Sequence, residues 1–293
     1  MKVVSLLENT TDIDSMEIEH GLSLYIEAEG KKILFDMGQS DLFAKNAVKL
    51  GVDLTKVDFA VLSHGHYDHG GGMETFFKIN HHAKVYISKY AFEPHFNGKN
   101  KYIGLDLGIL NNYKDRLIFT EDENDLGNGI SIFNCNNNTY VYRLNPYGLQ
   151  RGIPKVEGLP KHFKHGDTVE PYDLDMKLLP EDFHHEQYLM IEGACDGGKS
   201  VLFSGCSHKG ILNIMSWCNP DILIGGFHFK SLPMEGEGVD ESHKVLDDAA
   251  SVLSRYNCKY YTCHCTGVPQ YEYLKTLMGD KLDYLSTGKT LNI

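Results

Sequence analysis

The stretch Ser63-His64-Gly65-His66-Tyr67-Asp68-His69-Gly70-Gly71-Gly72 decides the fold. It follows the apolar run Val57–Leu62, which reads as a buried strand, so the histidines stand where a strand ends and the chain turns. Four metal-competent side chains, His64, His66, Asp68 and His69, fall within six residues. The glycines let the backbone turn tightly enough to aim them at a common point. Two histidines one residue apart can share one ion, while the Asp and His directly after them can reach a second. A lone histidine reads most simply as a hydrogen-bonded core residue. Four such groups on this spacing read as a metal site.

Outward from this loop, strand-like runs alternate with helical spacings. Lys2–Leu7, Leu22–Glu27 and Lys32–Phe35 read as strands, the last two joined as a hairpin through Glu29-Gly30-Lys31. Ser40 reads as the N-cap of a helix that carries Leu42, Phe43, Ala47 and Leu50 and closes at Gly51. Lys84–Ser88, Tyr188–Glu192, Ser200–Ser204, Asp221–Ile224 and Lys259–Thr262 read as further strands. Helices are expected near Lys209–Trp217, Asp240–Tyr256 and Pro269–Leu277, and a last strand pair near Leu282–Leu285 and Thr290–Ile293. The Asp240–Tyr256 helix would turn Val245, Leu246, Ala249, Val252 and Leu253 to one face. From about 97 to 165 there is no clear period, only tyrosines among Gly and Asn, and this segment reads as a cap-like insertion in a single domain spanning 1–293. N-terminal hairpins in place of strict βαβ alternation predict an α/β (α+β) fold of two mixed sheets face to face with helices outside.

At 293 residues the chain has ample length for a packed core, and its 23% charged and 42% hydrophobic residues exclude the disordered and membrane-spanning classes. A net charge of −12 argues against a nucleic-acid partner. Seven cysteines, Cys135, Cys195, Cys206, Cys218, Cys258, Cys263 and Cys265, show no disulfide-like spacing. Val3–Leu7 is too short for a signal-peptide core, so the expected location is the cytoplasm, with reduced thiols. The 15 histidines are the unusual number, and the loop at 64–69 accounts for several of them.

In His64-x-His66-x-Asp68-His69 the sequence resembles the metallo-β-lactamase superfamily. The resemblance implies a four-layer αββα sandwich with metals at the edge of the two sheets. Ile33-Leu34-Phe35-Asp36-Met37-Gly38 looks like the superfamily's first motif, which implies that Asp36 holds a metal-ligating side chain in place. Ser204-Gly205-Cys206-Ser207-His208-Lys209-Gly210, Gly225-Gly226-Phe227-His228 and Cys263-His264-Cys265-Thr266-Gly267 resemble a branch that includes dihydropterin-ribofuranosylaminobenzene phosphate synthase and many metal-dependent hydrolases. Two positions depart from the superfamily pattern. Cys206 stands where most members have a bridging Asp, so either its thiolate or His208 would serve. Phe183-His184-His185-Glu186-Gln187 replaces the usual Gly-His-Thr, so either His184 or His185 would supply the first metal's third imidazole. His264 matches the last ligand and would close the second site with Asp68 and His69, while His228 is placed to touch substrate or donate a proton.

The expected cofactor is a pair of divalent ions, zinc first, with iron or manganese as alternatives. They would lower the pKa of a bridging water, with Asp68 as general base. Two divalent ions outweigh the charges of Asp68, a Cys206 thiolate and a hydroxide, so the site can attract an anion on an acidic protein. The leading expectation is hydrolysis of a small anionic, phosphorylated metabolite; in the condensation alternative the cap would admit a phosphorylated partner through Lys99, Lys101, Arg143, Arg151 or Lys155. The alternatives are a synthase-like condensation with pyrophosphate release and a sensing module that binds without turnover.

Overall fold

The computed structural model describes residues 1–98, 100–154, 165–168, 176–193 and 198–293. In chain order the strands are β1 (Lys2–Leu7), β2 (Ser23–Ala28), β3 (Lys31–Phe35), β4 (Phe59–Val61), β5 (Lys84–Ser88), β6 (His95–Asn97), β7 (Lys101–Tyr102), β8 (Leu117–Thr120) and β9 (Glu123–Asp125). They continue as β10 (Ile130–Phe133), β11 (Leu149–Pro154), β12 (Met176–Pro180), β13 (Tyr188–Ile191), β14 (Val201–Phe203), β15 (Ile222–Ile224), β16 (Lys259–Thr262), β17 (Leu282–Tyr284) and β18 (Thr290–Asn292). The α-helices are α1 (Leu42–Lys49), α2 (Tyr67–Gly70), α3 (Met73–Ile79), α4 (Gly108–Tyr113), α5 (Ile211–Cys218), α6 (Val239–Leu253) and α7 (Val268–Met278).

One seven-stranded sheet has the order β18-β1-β2-β3-β4-β5-β8 and the other β17-β16-β15-β14-β13-β10-β9. Both are mixed. The run from β3 to β8 in the first and from β14 to β17 in the second is parallel, and the remaining pairs are antiparallel. Between the sheets lies an apolar layer in which Ile33, Phe35 and Val61 of one sheet pack with Ile132, Phe203 and Ile224 of the other. The Phe35 and Phe203 rings are 5.7 Å apart across it. The outer face of the first sheet is covered by α1, α3 and α4, and that of the second by α5, α6 and α7. Two strand faces that are both apolar can be buried only between two further layers, and this gives the αββα order.

The helix α6 buries Leu246, Ala249, Ala250 and Leu253 at helical spacing, with Asp240 and Glu241 in its first turn where they complement the helix dipole. Val245, expected on that face, is exposed. Helix α1 starts at Leu42, and Ser40 accepts the Leu42 N–H at 3.2 Å while its own hydroxyl donates to Glu19 at 2.6 Å.

The segment expected to form a cap divides between the main sheets and a separate one. Its β8 and β10 are half-buried strands of the two main sheets, with only four residues each, too short to display a period. Strands β6, β7, β11 and β12 form a separate four-stranded sheet in the order β12-β11-β6-β7. This sheet begins at His95 and ends at Pro180, wider than the expected limits, and packs Phe96, Tyr102 and Met176 onto the core outside the first main sheet. Among the described residues no helix is long and apolar enough to cross a membrane.

Candidate metal centre

Parallel strands end on one side of the sandwich, and the loops that follow β3, β4, β14, β15 and β16 carry Asp36, His64–His69, Cys206–His208, His228 and His264. Side chains from chain segments far apart therefore converge at the carboxyl ends of the strands.

Asp36 leaves β3 with φ +59° and is fully buried. One of its oxygens accepts the Ser63 N–H at 2.7 Å. The other accepts the Ser63 hydroxyl at 2.7 Å and the His69 Nδ1–H at 2.6 Å. Because Ser63 donates its only proton to Asp36, its lone pair takes the Nδ1–H of His64 at 2.8 Å. In both histidines Nδ1 is thus occupied, and Nε2 is the nitrogen aimed at the centre. His264 is set by the same logic from the opposite sheet. Its Nδ1–H donates to Asn9 Oδ1 at 2.9 Å, while the Asn9 amide donates back to the His264 carbonyl at 3.0 Å and the His264 N–H goes to Glu8 at 3.0 Å. Its Nε2 is buried and makes no hydrogen bond among the described residues.

Among the described residues three groups of ligand-type atoms include the sulfur of Cys206: His64, Cys206 and His208; His69, Cys206 and His264; and Cys206, His228 and Cys265. In the first, the Nε2 atoms of His64 and His208 are 3.3 Å apart. In the second, His69 Nε2 is 3.2 Å from Cys206 Sγ and 3.7 Å from Asp68 Oδ2, and His264 Nε2 is 3.5 Å from the same carboxylate oxygen. Ligand atoms about 2.0–2.3 Å from a tetrahedral ion stand roughly 3.3–3.8 Å from one another, and the separations of 3.2–3.7 Å here lie close to that range, so the cluster could hold a metal ion. The imidazole, carboxylate and thiolate donors suit a divalent transition ion.

The electrostatics match a site built for cations. Burial holds His64 and His208 well below the ordinary imidazole range and takes His66 down to about 3, so these rings are neutral with lone pairs free. Burial also pulls on His69, but the Asp36 and Asp68 carboxylates beside it outweigh that and raise it to about 9. Asp68 remains ionised: burial opposes its charge, yet His69 and His264 hold it well below the usual carboxylate range. Burial pushes the Cys206 thiol up, and a bound cation is what would deprotonate it.

Of the residues expected from sequence, His64, His69, Cys206, His208 and His264 meet in the first two of these groups, Asp68 stands beside them in a group with His20 and His264, and Asp36 touches His69 from behind. Cys206 and His208, weighed as alternatives, sit together. His66 lines the same cavity, its ring 4.9 Å from that of His208. His185 is buried, but its Nδ1 accepts the Gly65 N–H at 2.8 Å. His184 turns outward to Asp182 at 2.8 Å. His228, with φ +56°, lies on the cavity wall between the His208 and Tyr147 rings, at 4.3 and 4.2 Å. Arg151 is engaged by Asp182 at 2.8 Å, Arg143 is exposed, Lys101 lines the cavity, and Lys99 and Lys155 lie outside the described residues.

Sequence reading missed several neighbours. His20 places Nε2 3.2 Å from Asp68 Oδ2, Cys265 groups with Cys206 and His228, and Lys230 stands beside His20 at 3.5 Å. Cys265 was next to a quoted ligand and in a quoted motif, and that adjacency was the available signal. His20 had none.

The cavity in front of the centre has a volume of about 320 Å³ and adjoins a second, of about 830 Å³, with His264 and Lys230 in both walls.

Two face-to-face mixed sheets, helices on both outer faces and this cluster at the strand ends define an αββα protein with a candidate metal centre. The profile of the metallo-beta-lactamase superfamily matches residues 18–232, and the chain belongs to that superfamily. It is 26% identical over 298 residues to an uncharacterized protein of Methanocaldococcus jannaschii, covering 99% of this chain and 100% of that protein. It is 26% identical over 317 residues to the same organism's 7,8-dihydropterin-6-methyl-4-(β-D-ribofuranosyl)-aminobenzene-5'-phosphate synthase, covering 99% of this chain and 96% of the enzyme. In fold it is similar to the crystal structure of a metal-dependent hydrolase of the β-lactamase superfamily, with a TM-score of 0.71, 24% identity and coverage of 100% of this chain and 99% of that one.

Proposed function

We propose that the protein is a metal-dependent hydrolase whose dinuclear centre acts on a small anionic, phosphorylated metabolite. The observation that carries this reading is that the Cys206 sulfur belongs to both the His64–His208 group and the His69–His264 group, 3.2 Å from His69 Nε2, so that one thiolate could serve two ions. Bound there, divalent ions, zinc first, would supply Lewis acidity and a water made acidic near neutral pH.

The chain's own groups then have distinct tasks. Asp68 keeps an ionised oxygen at the cavity, held by His20, His69 and His264, and is the base that accepts a proton from the attacking water. His228, on the opposite wall beside Tyr147, is placed to protonate a leaving group. Lys101 and Lys230 line the same cavity and supply the positive charge that an anionic substrate needs on an acidic protein. Metal-replete protein should turn over at least one member of a panel of phosphodiesters, phosphomonoesters and lactones. A panel left wholly intact refutes the hydrolase reading.

The second reading is a condensation with pyrophosphate release, favoured by the full-length similarity to the methanogen synthase. Supplying a dihydropterin pyrophosphate and an aminobenzene riboside phosphate and measuring the coupled product together with pyrophosphate separates the two, since hydrolysis can release pyrophosphate but gives no C–C or C–N coupled product.

A further inference from the structure

A second set of imidazoles lies behind the centre. His66, His95, Glu181 and His185 are all buried, and each brings one ligand-type atom to within 4.8 Å of the others. His95 begins β6 and Glu181 directly follows β12, so both arrive from the separate four-stranded sheet. Three ring nitrogens in this set, the Nε2 atoms of His66, His95 and His185, are buried with no hydrogen bond among the described residues, that of His185 standing 3.7 Å from Glu181 Oε1.

Counting protons distinguishes what the set can do. The His95 Nδ1–H donates to Glu181 Oε2 at 2.8 Å, which leaves Nε2 as the ring nitrogen able to accept. The Gly65 N–H donates into His185 Nδ1 at 2.8 Å, so that neutral ring keeps its proton on Nε2. A cation placed among these atoms would face the His185 N–H. The His95 and His185 rings also stand 4.0 Å apart and only 33° from parallel, stacked more than convergent. The set is therefore poorly built to hold an ion and well built to accept an N–H. His66 has one to give. Its ring lines the cavity beside Cys206 and His208, and of its two nitrogens Nε2 is the one buried without a hydrogen bond among the described residues, which leaves Nδ1 as the nitrogen for the cavity side.

We propose that His95, held by Glu181, is a positioning residue for the metal centre: its Nε2 accepts the Nε2–H of His66 when His66 offers Nδ1 to an ion. The inference rests on the metal reading above. It makes a chain from Glu181 through His95 to His66 and so ties the separate sheet to the centre. Glu181 is a fixed end for that chain, because its other oxygen takes the backbone N–H groups of Asp182 at 3.2 Å and Phe183 at 3.1 Å. An N–H acceptor behind a ligating histidine orients the ring and raises its basicity, which is the physical reason such a chain strengthens metal binding.

The test is a cobalt(II) titration of the metal-free protein in competition with a chelator, following the cobalt d–d bands and the sulfur-to-cobalt charge-transfer band. His95→Leu is expected to weaken one of two ions by about 10- to 100-fold and to shift the d–d bands, with two ions still bound at saturation and the sulfur band intact. His95→Gln keeps an acceptor oxygen and should recover part of that loss, and Glu181→Gln should fall between Gln and Leu. Recovery by Gln separates positioning from packing. If His95→Leu does not fold, the His95→Gln and Glu181→Gln pair carries the test, with weakening in both expected. Wild-type affinity in every variant overturns the proposal, and so does loss of a whole ion at saturation, which would make His95 a ligand. Wild-type protein that takes up no cobalt overturns the metal reading and this one with it, whereas two ions in the wild type and unchanged variants overturn this one alone.

Discussion

The sulfur of Cys206 lies 3.2 Å from Nε2 of His69, although 137 residues separate the two in sequence. One residue comes from the loop after β14 and the other from α2, so the contact joins the two sheets where their strands end. Cys206 is also grouped with His64 and His208, so its removal should be felt in both groups. In Cys206→Ser, elemental analysis of purified protein is expected to give fewer than one ion per chain, against two in the wild type. Two retained ions would show that the sulfur is not shared.

Asp36 is the acceptor for three donors at once. Asp36→Asn replaces one acceptor oxygen with an amide that faces donors, and the loss falls on His69 and on Ser63 behind His64. Metal affinity is expected to fall by about 10- to 100-fold, read by chelator competition. Stability of the metal-free protein should fall by about 1–3 kcal/mol, read by urea denaturation.

Gly205 has φ +62°, and a methyl group added there would land on Ser63, 2.6 Å from its Cβ. Ser63 cannot retreat without releasing Asp36 and His64. Gly205→Ala is expected to cost about 2–4 kcal/mol in a urea melt and to lower metal content as well. A loss of stability with full metal content would mean that Ser63 is dispensable for the centre.

Lys209 is buried under the Cys206–His208 loop, donating to the Asn134 carbonyl at 2.5 Å and to Asn136 at 2.6 Å. Beside it Glu186 accepts the backbone N–H groups of His208 and Lys209 at 2.6 and 2.9 Å. Burial lowers Lys209 to about 8, with Glu186 opposing the shift. The unfolded chain, with an ordinary lysine, therefore binds more protons between pH 8 and about 10.5, and this group makes the fold more stable as pH rises through that window. Lys209→Met should cost about 3 kcal/mol at pH 7 and should lose that rising component, seen as a smaller gain, or a larger drop, between pH 7 and 9.5 than in the wild type.

Lys101 and Lys230 line the cavity on different segments. For an anionic substrate, Lys230→Ala is expected to raise KM roughly tenfold with little change in kcat, the signature of lost ground-state charge contact. A fall in kcat at constant KM would place Lys230 in the chemistry instead.

Much of the centre was legible in sequence because its signals are short. His64-x-His66-x-Asp68-His69 is one turn after one strand, and Cys206, His228 and His264 each stand in a short motif after a strand, with a glycine within three residues. The choice between His184 and His185 was not legible, since neighbouring residues differ only in which side of the chain faces inward: here His184 turns out to Asp182 and His185 in to Gly65. Nor was the fate of the 97–165 segment, whose four-residue strands acquire their meaning from the partners they pair with.

The sequence by itself determined the strand-end loops, the donor types and the αββα class, because these follow from local spacing and from runs of apolar residues that need cover on two faces. The tertiary structure alone decided which donors meet. Asn9 orients His264 across 255 positions, and Glu181 reaches His95 across 86. Such pairs are created by sheet order and packing, which set distances of a few ångströms between residues whose separation along the chain carries no trace of them.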